Sequence, residues 1–178
     1  MIAFLRLVGI LNAAVWLGGA VLLSVAASPA VTSPAVEALL GERYFPYYSI
    51  AIDHVIWDFY FRFQITCALI AFLHLLAECL YLGRPSRKLS FGLLLAIFLM
   101  ALVSGEAIQP RLKMLHTIRF RQDTPAADRQ AAARTFRTLR AVLKTTNCFI
   151  IAGLVLYVWR VANPSDNARF ISSVKFRG

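Results

Sequence analysis

The sequence predicts an all-α integral membrane protein, a four-helix bundle whose long helices extend beyond the bilayer on one face. Three observations carry that reading. Hydrophobic residues make up 59% of the 178 residues, and the mean hydropathy is +0.65, where soluble domains hold ~45–50% apolar residues. Four apolar runs fall at about 7–27, 63–82, 89–108 and 145–162, each long enough to cross a hydrocarbon core of ~30 Å. Lys and Arg give the chain a net charge of +10 and gather between those runs, where they meet lipid headgroups. A lipid bilayer is therefore the expected partner and nucleic acid is not. The chain reads as one domain, 1–178.

Leu7 to Ala27 is uncharged throughout, with Arg6 just ahead. A cleaved signal peptide ending at Val25-Ala26-Ala27 is the rival reading, but its apolar region is ordinarily only ~7–15 residues, so a retained span is expected. Small residues recur along the run at fourfold spacing, as Gly9 and Ala13, then Ala14 and Gly18. Such spacing lets another helix approach closely, and Trp16, Gly18 and Gly19 are the candidate contact residues. Ser33 before Pro34 reads as the start of a one-to-two-turn helix that Gly41 stops. Tyr44 to Phe61 is dense in aromatic residues, as expected at a membrane boundary, and the second span begins near Tyr47, well above the bilayer.

The core of that second span, Phe63 to Leu82, carries His74 and Glu78 one turn apart on one face. Ionisable groups are costly in hydrocarbon, so this face should point into the bundle. The short basic link Gly83 to Lys88 makes the second and third spans an antiparallel hairpin. Gly92, Ala96, Ala101 and Gly105 are the small contact positions of the third span, and Gln109-Pro110 should kink or end it. Thr124-Pro125 starts an amphipathic extension over about 125–144, which runs uninterrupted into the fourth span. Asn163-Pro164 ends that span, and 163–178 is a basic tail with no apolar period. Counting basic residues in every loop favours cytoplasmic long loops, whereas the flanks of the first two spans favour cytoplasmic termini. We take the termini as cytoplasmic, in a multi-pass protein of a bacterial inner membrane.

Trp16-Leu17-Gly18-Gly19, Ala27-Ser28-Pro29-Ala30, Tyr44-Phe45-Pro46-Tyr47-Tyr48 and Ile108-Gln109-Pro110-Arg111 occur in that order. Together they resemble the domain-of-unknown-function 4149, or transmembrane-protein-205-like, membrane protein family over roughly Leu7 to Val161. A tryptophan followed by two glycines is also similar to the copper-resistance D-like four-helix membrane proteins. The resemblance implies a four-span helical membrane protein. It also implies Phe, then Leu-His, then Asn entering the last span. Phe136, Leu139 and Asn147 fit, and Arg140 stands where the histidine would be.

Few groups could carry chemistry. Asn12, Glu78 and Arg160 lie at similar depth and form one candidate polar layer; Arg62 and Glu106 lie near the opposite end. With His74 between them, the two carboxylates would suit a proton or cation path, or each an ion pair near the interface. His74 and Met100 could meet across the hairpin as ligands of copper or haem b, whereas the bland reading ties His74 to Glu78, Asn12 or Trp16. No cofactor is predicted. His54 and His116 read as interfacial polar residues. Cys67 and Cys79 are too far apart along one helix to bridge. With no hydrolytic triad and no phosphate loop, an enzyme is not expected. The leading expectation is a non-catalytic accessory or assembly subunit that packs against membrane-protein partners or copies of itself. A small ion, proton or metal transporter using His74 and Glu78, and a haem-binding electron carrier, are the alternatives.

Overall fold

A computed structural model of the chain describes residues 2–82 and 88–163, all helix and connecting turn. The expectations for most of the basic link and for the tail beyond Asn163 fall outside the described residues. Helix α1 (Ile2–Leu22) passes through a π-helical turn (Leu23–Ala27) into α2 (Ser28–Val31). After the short α3 (Pro34–Leu40) comes α4 (Phe45–Leu82). Helix α5 (Lys88–Val103) passes through a second π turn (Ser104–Ile108) into α6 (Gln109–Phe120), and α7 (Ala126–Ala162) closes the bundle. Neighbours alternate in direction around a ring in which α1 packs on α4, α4 on α5 and α6, these on α7, and α7 on α1.

Among the described residues, four stretches are long and apolar enough to cross a membrane: Leu7–Val31, Phe45–Leu80, Leu89–Phe120 and Ala126–Ala162. The last three exceed need. The 38 residues of α4 reach ~57 Å at ~1.5 Å per residue, almost twice a hydrocarbon core. The surplus lies on one face, where Asp53, Asp58, Lys113, Arg119 and Arg140 are found. There the aromatic-rich sequence builds its own small core: Tyr47 stacks on His116 at 4.8 Å, His54 meets His116 at 5.5 Å, and Phe136 meets His54 at 6.0 Å.

The punctuation works locally as its chemistry dictates. The Ser33 side chain caps α3 by accepting from the Val36 amide, and Gly41 ends that helix at φ +73, a region open to glycine. Pro125 immediately precedes α7, and Asp128 in its first turn faces the positive end of the helix dipole. Of the two outcomes expected at Gln109-Pro110, an end to the third span is not found, because the helix continues beyond it. The helix is continuous there: Ile108 and Gln109 keep helical dihedrals, the Gln109 amide donates back to the Ser104 carbonyl across the π turn, and the chain runs on through Pro110 to Phe120.

The two ascending arms bury the same pattern. In the first, Gly9, Ala13, Trp16, Ala20, Leu23, Ser28 and Val31 are buried; in the second, Ser90, Leu94, Ile97, Ala101, Ser104, Gln109 and Leu112. Each pair of counterparts is separated by the same length of chain. Steps of three and four residues, as a helical face requires, are interrupted in each arm by one longer step across the π turn.

Candidate functional site

The inward stripe of α4 reads Asp53, Trp57, Tyr60, Gln64, Cys67, Ala71 and His74, all buried and three or four residues apart. Buried polar groups in an apolar bundle must find partners. These form a chain across three helices. The Trp16 indole donates to Gln64 Oε1, and Gln64 Nε2 donates to the Tyr60 hydroxyl. Tyr60 donates to Asn147 Oδ1 at 2.6 Å, Asn147 Nδ2 to Ser24 Oγ at 2.6 Å, and Ser24 Oγ to the Ala20 carbonyl at 2.8 Å. The chain starts on a group that can only donate and ends on a backbone acceptor of the same helix. Such a chain fixes the geometry of the helices it joins.

One level higher, the Asp53 carboxylate is held from two sides. Ser28 Oγ donates to Oδ1 at 2.9 Å and Arg140 Nη2 to Oδ2 at 2.7 Å. The length of Arg140 lets it span from α7 to α4. Between the upper end of the first arm and α7 lies a cleft of about 260 Å³, lined by Ser24, Ser28, Pro29, Thr32, Trp57, Arg140, Lys144, Asn147 and Cys148. Across Arg140, a void of about 10 Å³ touches Asp53, His54, Gln109 and Phe136. Gln109 donates to the His54 carbonyl at 3.2 Å. Its Oε1 and the Nε2 atoms of His54 and His116 have no hydrogen-bond partner among the described residues.

The residues expected to form a polar layer are spread among separate partners. Asn12 donates to the Cys67 carbonyl at 3.0 Å, and Arg160 to Ser90 Oγ at 3.3 Å. Glu78 is half-buried beside Tyr157. Ion pairs among the described residues join Lys113 to Asp58, Arg121 to Asp123 and Arg140 to Asp53, and leave Glu78, Arg62 and Glu106 outside them. Arg62 and Glu106 are exposed. His74 is buried against Gly9, where an added Cβ would sit 2.6 Å from its imidazole, while Met100 packs on the core from α5. No group of three or more His, Cys, Asp or Glu among the described residues could hold a metal.

The small residues divide between inside and outside. Gly19 receives the Phe63 ring and Gly105 receives Phe61, with added Cβ atoms 2.6 and 3.0 Å from them, and Ala101 is fully buried. Among the described residues nothing lies within 4 Å of a Cβ added at Gly18 or Gly92, and Ala96 is exposed. Trp16 is core, with its ring edge on Tyr157 at 6.3 Å. Sequence reasoning passed over Asp53 and Gln64, and read Ser24 and Ser28 only as small contact positions and Tyr60 only as a boundary aromatic. The available signal was the heptad-like spacing of Asp53, Trp57, Tyr60 and Gln64 on one helix face.

Compared with known proteins, the chain matched no family model, no curated protein and no solved structure.

Proposed function

We propose that this protein is a non-catalytic accessory or assembly subunit, packing against other membrane subunits of a larger bacterial inner-membrane complex as the resemblance to the four-span family allows. The observation that carries the reading is Gly18. Its neighbour Gly19 is spent on an internal contact with Phe63, while Gly18 faces outward with open space over it, as does Gly92 on the third span. Outside a bundle, glycine forgoes lipid contact that a larger residue would make, and it permits the close backbone approach on which helix association in lipid depends. The interior favours the same reading, because its polar groups are tied into a chain that positions helices. A transporter or metal site on His74 has less support, since the imidazole is packed under Gly9.

The test is Gly18→Leu beside Gly19→Leu, read by thermal unfolding of the purified protein and by native mass spectrometry of complexes from mild detergent. Gly18→Leu is expected to leave the melting temperature unchanged and to release bound partners, whereas Gly19→Leu lowers the melting temperature. A Gly18→Leu protein that keeps its full complement of partners overturns the reading. We further infer cytoplasmic termini from the flanks of the first two spans. With the native cysteines replaced, single cysteines at Ser86 and Ser172 should resist an impermeant reagent applied from outside, and one at Ala127 should label; the reverse pattern inverts the orientation.

A further inference from the structure

The cleft between the upper end of the first arm and α7 has a charge, a shape and a depth that together identify a ligand. We propose that it binds the phosphate of an anionic glycerophospholipid with a hydroxylated headgroup.

Depth comes first. The cleft takes Ser24, Ser28 and Thr32 from the end of the first apolar run, and Lys144 and Asn147 from the start of the last. The first apolar run gives way there to the polar, proline-punctuated stretch that begins at Ser28, and α7 passes from charged to apolar sequence at Lys144, so the cleft sits at headgroup level. Below it α7 offers Phe149, Val155 and Leu156 to the surroundings, 64%, 51% and 58% exposed, an apolar wall along which acyl chains lie.

Charge comes next. Asp53 offsets Arg140, and among the described residues no carboxylate pairs with Lys144, so the cleft holds one net positive charge. Arg140 engages Asp53 through Nη2, leaving other N–H groups of its fork, with the Lys144 ammonium and the second amide hydrogen of Asn147, to face an anion.

The hydroxyls refine the choice of lipid. Ser24, Ser28 and Thr32 each direct their single proton elsewhere, to the Ala20 carbonyl, Asp53 and the Pro29 carbonyl, and so present acceptors. Acceptors suit the hydroxyls of a glycerol headgroup, and the net positive charge of the cleft disfavours the ammonium of a zwitterionic one. A volume of about 260 Å³ equals roughly eight or nine waters of liquid, enough for a phosphate with a glycerol and too little for a folded segment.

The experiment titrates the full-length protein in neutral detergent with short-chain phosphatidylglycerol, phosphatidylcholine or inorganic phosphate, following the rise in melting temperature. Phosphatidylglycerol is expected to stabilise, and the other two at equal concentration are not. Lys144→Gln should raise the half-saturating phosphatidylglycerol concentration by roughly five-fold, the worth of one cation near a phosphate. Lys144→Arg should restore it, and Arg129→Gln, an exposed cation at the far end of α7, should leave it unchanged. An equal response to phosphatidylcholine overturns the assignment, as does a Lys144→Gln protein with unaltered affinity. A response to inorganic phosphate matching that to the lipid assigns the cleft to a soluble anion and overturns the lipid.

Discussion

The two π turns occupy corresponding places in the two ascending arms, yet they serve different ends. At the first, Ser24 and Ser28 are wired across the bundle to Asn147 and Asp53, and the helix stops at Val31. At the second, Ser104 is buried with no hydrogen-bond partner for its hydroxyl among the described residues, Gly105 admits Phe61, and the helix runs on to Phe120. The same backbone device makes a polar junction in one arm and a packing joint in the other. It also explains the cleft, which opens where the shorter arm ends beside the taller α7.

The largest expected effect breaks the packing joint. Phe61→Ala removes a buried ring that contacts Trp57 and Tyr60 as well as Gly105, and should cost about 3–5 kcal/mol, the usual loss for a core phenylalanine. Next is the polar junction, where Asn147→Leu strands Tyr60 and Ser24 together and should cost about 2–3 kcal/mol. A thermal or denaturant series in one detergent checks both; an Asn147→Leu protein as stable as the parent would mean that the hydrogen-bond chain contributes nothing. Ser24→Ala removes one link and should cost about 1 kcal/mol. Ser104→Ala sharpens the contrast, because its hydroxyl already lacks a partner among the described residues, and should fall within about 0.5 kcal/mol of the parent or above it. Equal losses for the two serines would erase the distinction between the arms.

The fold was legible because crossing a bilayer demands runs of apolar residues that few other structures need. The helices standing above the membrane were legible from the basic residues and aromatics at 111–144 and 44–61. The π turns were hidden for a related reason: the outer face of a span meets lipid and is as apolar as the inner one, so the burial period leaves little trace in composition. The candidate site was read less well. Asn147 was noticed through a resemblance, and Arg140 as a departure from it, but the partners Tyr60, Ser24 and Asp53 lie far away in the chain, with no local signal of pairing. Gly18 and Gly19 show the limit plainly. Adjacent positions on a helix point ~100° apart, and a sequence that says one of them packs does not say which.

Each π turn contains one residue more than a straight helix would use to carry the buried face past it. Removing that residue shortens the long step to the step used elsewhere, so everything beyond still faces the core. Deletion of Ala26 or of Ala107, both exposed, should therefore give a folded protein, whereas deletion of Ala152 in α7, where no such turn exists, should turn Leu154 and Tyr157 out of register by ~100° and abolish folding. The bundle thus has two places at which its length can change by a single codon without rewriting its interior, and size variation among chains of this design should accumulate there.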